Sequence, residues 1–218
     1  MTKQPVAVIF DMDGVIVDSE PHHEQAFREI FAEMGYTDSH GIHFPDYYGR
    51  SDLALWTDFV AMHRPLKPIE ELLEWKQQRL IDLLRRDEPI FESLPELVAN
   101  LARRYPLAVA SGSSHRVIDE VLSMGGLRRH VQHVVSVQDV IHGKPAPDVF
   151  LRASTLLKVP PNECCVIEDS AAGVQAALAA GMQVIAITNS LPSGPLSKAH
   201  HVVAGYEEIH ALLLPSIP

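Results

Sequence analysis

The stretch Val6-Ala7-Val8-Ile9-Phe10-Asp11-Met12-Asp13-Gly14 constrains the fold more than any other part of the chain. Its five leading residues, β-branched, aromatic or small, read as a strand buried on both faces, the habit of a central strand in a parallel sheet. Two carboxylates, Asp11 and Asp13, then follow where the strand should end, and Gly14 lets the backbone turn away. In open α/β sheets ligands gather at the carboxyl ends of the strands, so such a strand delivers both carboxylates to the usual place for chemistry. A solvated Asp-rich turn has the same local composition. The rest of the chain decides between the two.

After Asp18 the periodicity becomes helical. Phe27, Ile30, Phe31 and Met34 recur at helical spacing before Gly35, then Trp56, Phe59, Val60 and His63, then Ile69, Leu72, Leu73, Leu80, Leu83 and Leu84. Strand-like runs return only after Pro106. Leu107 to Ala110 leads into Ser111-Gly112-Ser113-Ser114 and a helix carrying Ile118, Val121 and Leu122. Val131 to Val137 reads as the next strand. Cys164 to Ile167 ends in Glu168-Asp169-Ser170 before a helix that stops at Gly181, and Gln183 to Thr188 is one more strand before a helical segment from Glu207 to Leu213. Ser190 to Ser197 reads as a surface loop. Strands alternating with helices predict an α/β doubly wound parallel sheet, a Rossmann-like core. The expected division is a core of residues 1–17 and 91–218 with an all-helical cap of residues 18–90, which leaves strand one at its carboxyl end and is thereby placed to act as a lid.

Composition narrows the partners. A formal charge of −10 makes a nucleic-acid backbone or an anionic membrane an unfavourable surface to bind. A small anionic substrate stays possible, because a metal ion and a few cations can reverse the field within one cleft. No uncharged apolar run approaches the roughly 20 residues that span a bilayer, and no leader-like segment opens the sequence, so a cytoplasmic protein is expected. Cys164 and Cys165 are adjacent in a strand, point to opposite faces, and make no structural disulfide. Oligomeric state is not legible, and a monomer is compatible with everything above.

Three strands end in polar residues: Asp11 and Asp13, Ser111 and Gly112, Glu168 and Asp169. Lys144 lies in a fourth loop between Gly143 and Pro145. Converging carboxylates suit Mg²⁺, which takes about six hard oxygen ligands. A lysine and a hydroxyl beside exposed backbone N–H groups suit a phosphate. A carboxylate nucleophile with such neutralising groups is a phosphoryl-transfer apparatus.

Asp11-Met12-Asp13-Gly14, Ser111, Lys144 before Pro145, and Glu168-Asp169-Ser170 with Gly173 resemble, in order, the four motifs of the haloacid-dehalogenase-like hydrolases. The resemblance spans nearly the whole chain, and the helical insertion is similar to the cap of the subgroup of β-phosphoglucomutase and sugar-phosphate phosphatases. It implies that Asp11 attacks phosphorus, that Asp13 protonates the leaving oxygen and then activates water, and that Ser111, Gly112 and Lys144 hold the phosphoryl oxygens. It also implies Mg²⁺ held by Asp11, the backbone carbonyl of Asp13 and Asp169, with Glu168 adjacent or acting through water. The second carboxylate of the first motif disfavours a true dehalogenase, since a halide needs no proton.

The same resemblance bears on the cap. His23 matches a hinge histidine of the phosphoglucomutase subgroup, while a solvated position at a helix N-terminus is the plainer reading. Asp52 stands where those mutases carry an arginine for the second phosphate of a bisphosphate, and Arg50 is the nearest substitute. The usual Pro-Gly turn on the cap's return is missing, since residues 89–95 contain no glycine. Ser113 or Ser114 reads as a helix N-cap, Trp56 and Trp75 as cap core. The sequence thus predicts a Mg²⁺-dependent phosphatase of small phosphorylated metabolites, sugar phosphates foremost. A phosphomutase of the same chemistry is the alternative, and an idle phospho-ligand-binding module the alternative of another class.

Overall fold

A computed structural model describes residues 4–47 and 51–215. Arg50, one of the expected cap residues, lies outside them. Strand β1 (Ala7–Phe10) is buried at every position, as an apolar run without alternation requires. It pairs in parallel with β2 (Leu107–Ala110) on one side and β4 (Cys164–Glu168) on the other. Outside these lie β3 (His133–Val135), β5 (Gln183–Ile187) and β6 (His201–Val203), giving a six-stranded sheet in the order β3-β2-β1-β4-β5-β6. Strand order reverses beside β1, which is the switch point where such sheets place a site.

Helix α4 (Leu94–Ala102) precedes β2, α5 (His115–Ser123) follows it, and α6 (Asp148–Leu157) precedes β4. Helix α7 (Ala171–Ala179) connects β4 to β5, the single turn α8 (Ser193–Leu196) precedes β6, and α9 (Tyr206–Leu213) closes the chain. One face of the sheet, from Ala7, Ile9, Ala108, Ala110, Val166 and Val184, packs against Val149, Phe150 and Ala153 of α6 and Val174 and Ala177 of α7. Alanines on both sides let the helices sit close, and large side chains such as Phe150 fill the remaining space.

The chain divides into two compact units, 1–18 with 90–218, and 19–89. The second contains α1 (Glu20–Glu33), α2 (Asp52–His63) and α3 (Ile69–Asp87), with no strand among its described residues. Its core is aromatic. Phe31 stacks on Phe59 with centroids 4.5 Å apart and meets Trp56 edge-on at 5.5 Å, and Trp56 is wholly buried. Ser51 caps α2 by accepting from the Ala54 N–H.

Three expectations need adjustment. The strand expected from Val131 to Val137 is confined to three residues, because Ser136 and Asp139 form a reciprocal capping box that turns the chain into a short 3₁₀ segment. Ser190 to Ser197 is not wholly loop, since α8 occupies its middle. The cap's return finds its left-handed turn without glycine: Glu88, at φ +42°, ends α3 and donates its N–H to the Leu84 carbonyl.

Candidate active site

Strand β1 ends by carrying the Asp11 N–H to the Ile167 carbonyl of β4, at 2.9 Å, so the ladder continues into the site. The chain then turns on one acceptor: the N–H groups of Val15, Ile16 and Val17 all approach the Met12 carbonyl. Gly14 stands at φ +74°, and a Cβ there would overlap the Asp169 carboxylate. Only glycine allows both the turn and that approach. The first carboxylate motif and the acidic end of β4 are thus fitted to each other at the backbone.

Lys144 reaches into this junction. Its ammonium donates to Asp11 Oδ1 at 2.5 Å and to Glu168 Oε1 at 2.7 Å. Glu168, fully buried, accepts through its other oxygen from the N–H groups of Asp169 and Ser170 and from the Ser170 hydroxyl. Gly173, in the first turn of α7, leaves room for that carboxylate, which a Cβ would overlap. On the opposite side Asp13 accepts from the hydroxyls of Ser111 at 3.2 Å and Ser113 at 3.0 Å. The Ser111 hydroxyl also accepts from the Ser113 N–H, which folds the 111–114 loop over its own strand end. Residue Gly112 is exposed at the tip of that loop, with open space beside its Cα.

Charge in this cluster is unbalanced. Burial raises Asp11 well above the usual carboxylate range, Lys144 offsets only part of that, and Glu168, Asp169 and Asp13 push it further up. Asp169 is pushed up to about 7, first by burial and then by Glu168, with a Ser190 hydrogen bond and Lys144 opposing. Lys144 is held well above its ordinary value, because Asp11 and Glu168 outweigh the effect of its burial. Among the described residues Lys144 is the one ammonium bonded to this cluster, against the carboxylates of Asp11, Glu168 and Asp169, with Asp13 adding its charge. Oxygens of Asp11, Glu168 and Asp169 all lie within 4.8 Å of one another. A buried set of hard anionic oxygens in excess of the local cations fits a divalent cation such as Mg²⁺. Glu168 is already occupied by Lys144 and three donors, so Asp11 and Asp169 are the side chains with capacity left for it.

A model of the haloacid dehalogenase-like hydrolases matches residues 6–181, most of the chain and every element of this cluster. The chain belongs to that family. This hydrolase is 34% identical over 197 residues to a fructose-1-phosphate phosphatase of Escherichia coli, covering 85% of this chain and 97% of the relative. It is 33% identical over 190 residues to the hexitol phosphatase B of the same organism, covering 85% and 84%. Among solved structures, a β-phosphoglucomutase of Clostridium difficile superposes with a TM-score of 0.79 at 22% identity, over 96% of this chain and 97% of the other. At that identity the likeness is one of fold, and the sheet and helical unit described above share it.

Within the hydrolase, Asp11, Asp13, Ser111, Lys144, Glu168 and Asp169 converge as hydrogen-bonded neighbours. Sequence reasoning missed Ser113. Taken as an N-cap candidate, it instead donates to Asp13, while Ser114 stands at the N-cap of α5 without a side-chain cap bond. Ser136 supports it by donating to the Ser113 carbonyl at 2.7 Å. The signal was available: Ser136 is one more polar residue at a strand end.

In the helical unit the residue that sequence reasoning missed is Lys76, wholly buried on α3. Its ammonium approaches Asp52 Oδ2 at 2.8 Å and His23 Nδ1 at 2.6 Å, and it lies 4.8 Å from the Phe27 ring centroid. Two expectations change. His23 is not a solvated helix-end residue, and Asp52 is not a bare anion. Burial would raise the Asp52 carboxyl, but Lys76 and His23 together hold it well below the usual range.

Proposed function

We propose that this hydrolase is a Mg²⁺-dependent phosphatase of small phosphorylated sugars acting through an aspartyl-phosphate. The observation that carries the reading is Asp11 at the end of a buried strand, gripped by Lys144 among carboxylates, with the hydroxyls of Ser111 and Ser113 on Asp13 beside it. Kinship to phosphatases named for sugar and hexitol phosphates supports the substrate class.

In this scheme Asp11 Oδ attacks phosphorus and the leaving oxygen takes a proton from Asp13. Asp13 then draws a proton from the water that cleaves the acyl phosphate. Ser111, the Gly112 N–H and Lys144 bind the phosphoryl oxygens and orient them for in-line attack. Asp11, Asp169 and the Asp13 carbonyl would hold Mg²⁺, which when bound neutralises charge on phosphorus and lets Asp11 stay ionised. Glu168 orients Lys144 and the β4–α7 turn.

Discrimination from a mutase rests on the cap. The bisphosphate-gripping arginine of that subgroup is replaced here by Asp52, whose charge is balanced by Lys76. A bare carboxylate would repel that phosphate, and Lys76 removes the repulsion, but among the described residues no unpaired cation takes the arginine's place. Hydrolysis is therefore the reading carried forward.

The experiment is release of inorganic phosphate from p-nitrophenyl phosphate and from a panel of hexose and hexitol phosphates in Mg²⁺, for wild type and Asp11→Asn. Wild type should turn over both kinds of substrate, and Asp11→Asn should lose at least about 10³-fold in kcat while keeping the native circular dichroism. Conversion of β-glucose 1-phosphate to glucose 6-phosphate without free phosphate would establish the mutase instead. No turnover of any substrate would leave a binding module.

A further inference from the structure

Asp13 sits in a turn whose inner side is closed by the chain itself and whose outer side is held by distant residues. On the inner side the Gly14 N–H donates to the Val17 carbonyl at 2.8 Å, and the next N–H groups converge on Met12. On the outer side Asn189, just past β5, donates its amide to the Gly14 carbonyl at 2.8 Å and to the Tyr206 hydroxyl at 3.0 Å. That hydroxyl, on the first residue of α9, donates in turn to the Val15 carbonyl at 2.8 Å. Tyr206 is 92% removed from solvent by its relative exposure of 8%, and its ring lies 5.9 Å from that of Phe91, whose N–H approaches the Ile16 carbonyl.

We infer that Asn189 and Tyr206 are positioning residues for Asp13, setting the placement of its carboxyl group on the oxygen that leaves phosphorus. The inference rests on the reading of Asp13 as proton donor given above. Asp13 is flanked by Met12, whose carbonyl accepts the N–H groups of the turn, and by Gly14, whose carbonyl the Asn189 amide takes. Its carboxylate is aimed by two hydroxyls across the site. Gly14 cannot move toward Asp169, because the two already meet. On its outer side Asn189 and Tyr206 hold the carbonyls of Gly14 and Val15, next to Asp13, while Ile90 and Phe91 pair with the turn's far end. Removing the tyrosine hydroxyl leaves a buried carbonyl without its donor and the Asn189 amide without its second acceptor. The turn then relaxes outward and carries Asp13 with it.

Proton donation matters in proportion to how poor the leaving group is, which supplies a readout that general destabilisation would not move. The experiment measures kcat and KM for Tyr206→Phe and Asn189→Ala on p-nitrophenyl phosphate, whose phenolate departs readily, and on phenyl phosphate, of nearly the same shape, whose phenolate departs poorly. The ratio kcat/KM reports steps through departure of the phenolate and excludes the later attack of water. Tyr206→Phe should lower kcat/KM about tenfold on phenyl phosphate and less than twofold on p-nitrophenyl phosphate, with KM little changed. Asn189→Ala, at an exposed position, should do the same with native circular dichroism. The double variant should lose no more than the worse single one, since both act through one network. Equal losses on the two substrates, or none on either, would overturn the assignment while leaving the phosphatase reading in place. A wild type inert toward both esters would overturn this assignment, and inertness toward the hexose and hexitol phosphates as well would overturn the phosphatase reading with it.

Discussion

Asp169 shows how a residue can be placed by chemistry it would be more stable without. Burial and Glu168 push its carboxyl up to about 7, far above the value it would have in the unfolded chain. The folded protein therefore binds this proton more tightly than the unfolded one. Its contribution to stability is fully present below about pH 4 and is lost as pH rises toward 7. In the presence of EDTA the melting temperature should fall between about pH 4 and pH 7, and Asp169→Asn should make that slope shallower. A slope unchanged in Asp169→Asn would show that the carboxyl is not the group responsible. Pairs of residues at strand ends were legible in the sequence because a buried strand and a following glycine say where the chain must turn. The hydrogen bond from Ser113 to Asp13 was not, since loop hydroxyls cap helices and bind side chains with equal ease.

At the scale of the element, α3 carries the clearest conflict between pattern and content. Leu72, Lys76 and Leu80 share one helical face, and that face is buried, so the lysine is drawn inside by its neighbours and held by Asp52 and His23. Lys76→Met keeps the volume and leaves the Asp52 carboxylate with His23 alone. With Asp52 about a third exposed, the cost should be about 2 kcal/mol, less than the roughly 3–5 kcal/mol for breaking a fully buried pair. Urea unfolding followed by the fluorescence of Trp56 and Trp75 reads it, and the double variant Lys76→Met with Asp52→Asn should recover part of the loss. A Lys76→Met midpoint equal to wild type would show that the pair contributes nothing. Elements with a single amphipathic period, such as α1 and α3, were readable from sequence. Strand β6 was not, because His201, Val202 and Val203 form a strand only by pairing with Ile185 to Ile187.

For the whole molecule the decisive imbalance, among the described residues, is that the carboxylates of Asp11, Glu168 and Asp169 meet one ammonium at the end of a parallel sheet in a chain of net charge −10. A cation that binds the folded form alone stabilises it by RT ln(1 + [L]/Kd), about 2.7 kcal/mol at a hundredfold excess over Kd. At that excess Mg²⁺ should raise the melting temperature of the core unit by about 5–10 °C, and Ser111→Ala should keep most of the rise while Asp169→Asn loses it. A transition insensitive to Mg²⁺ in wild type would remove the metal from the scheme. The described helices include none long and apolar enough to cross a membrane. The alternation of most strands with helices, the helical stretch that follows β1 and the placing of Asp11, Asp13 and Asp169 at strand ends were legible in the sequence alone. Hydrophobic period and residue type are local properties, and a motif carries its own spacing. Tertiary structure alone decided that Lys76 neutralises Asp52, that Ser113 rather than a cap bond meets Asp13, and that Asn189 and Tyr206 hold the turn after it. Those contacts join residues 24, 100, 175 and 191 positions apart, and no local pattern encodes which distant donor a given oxygen will find.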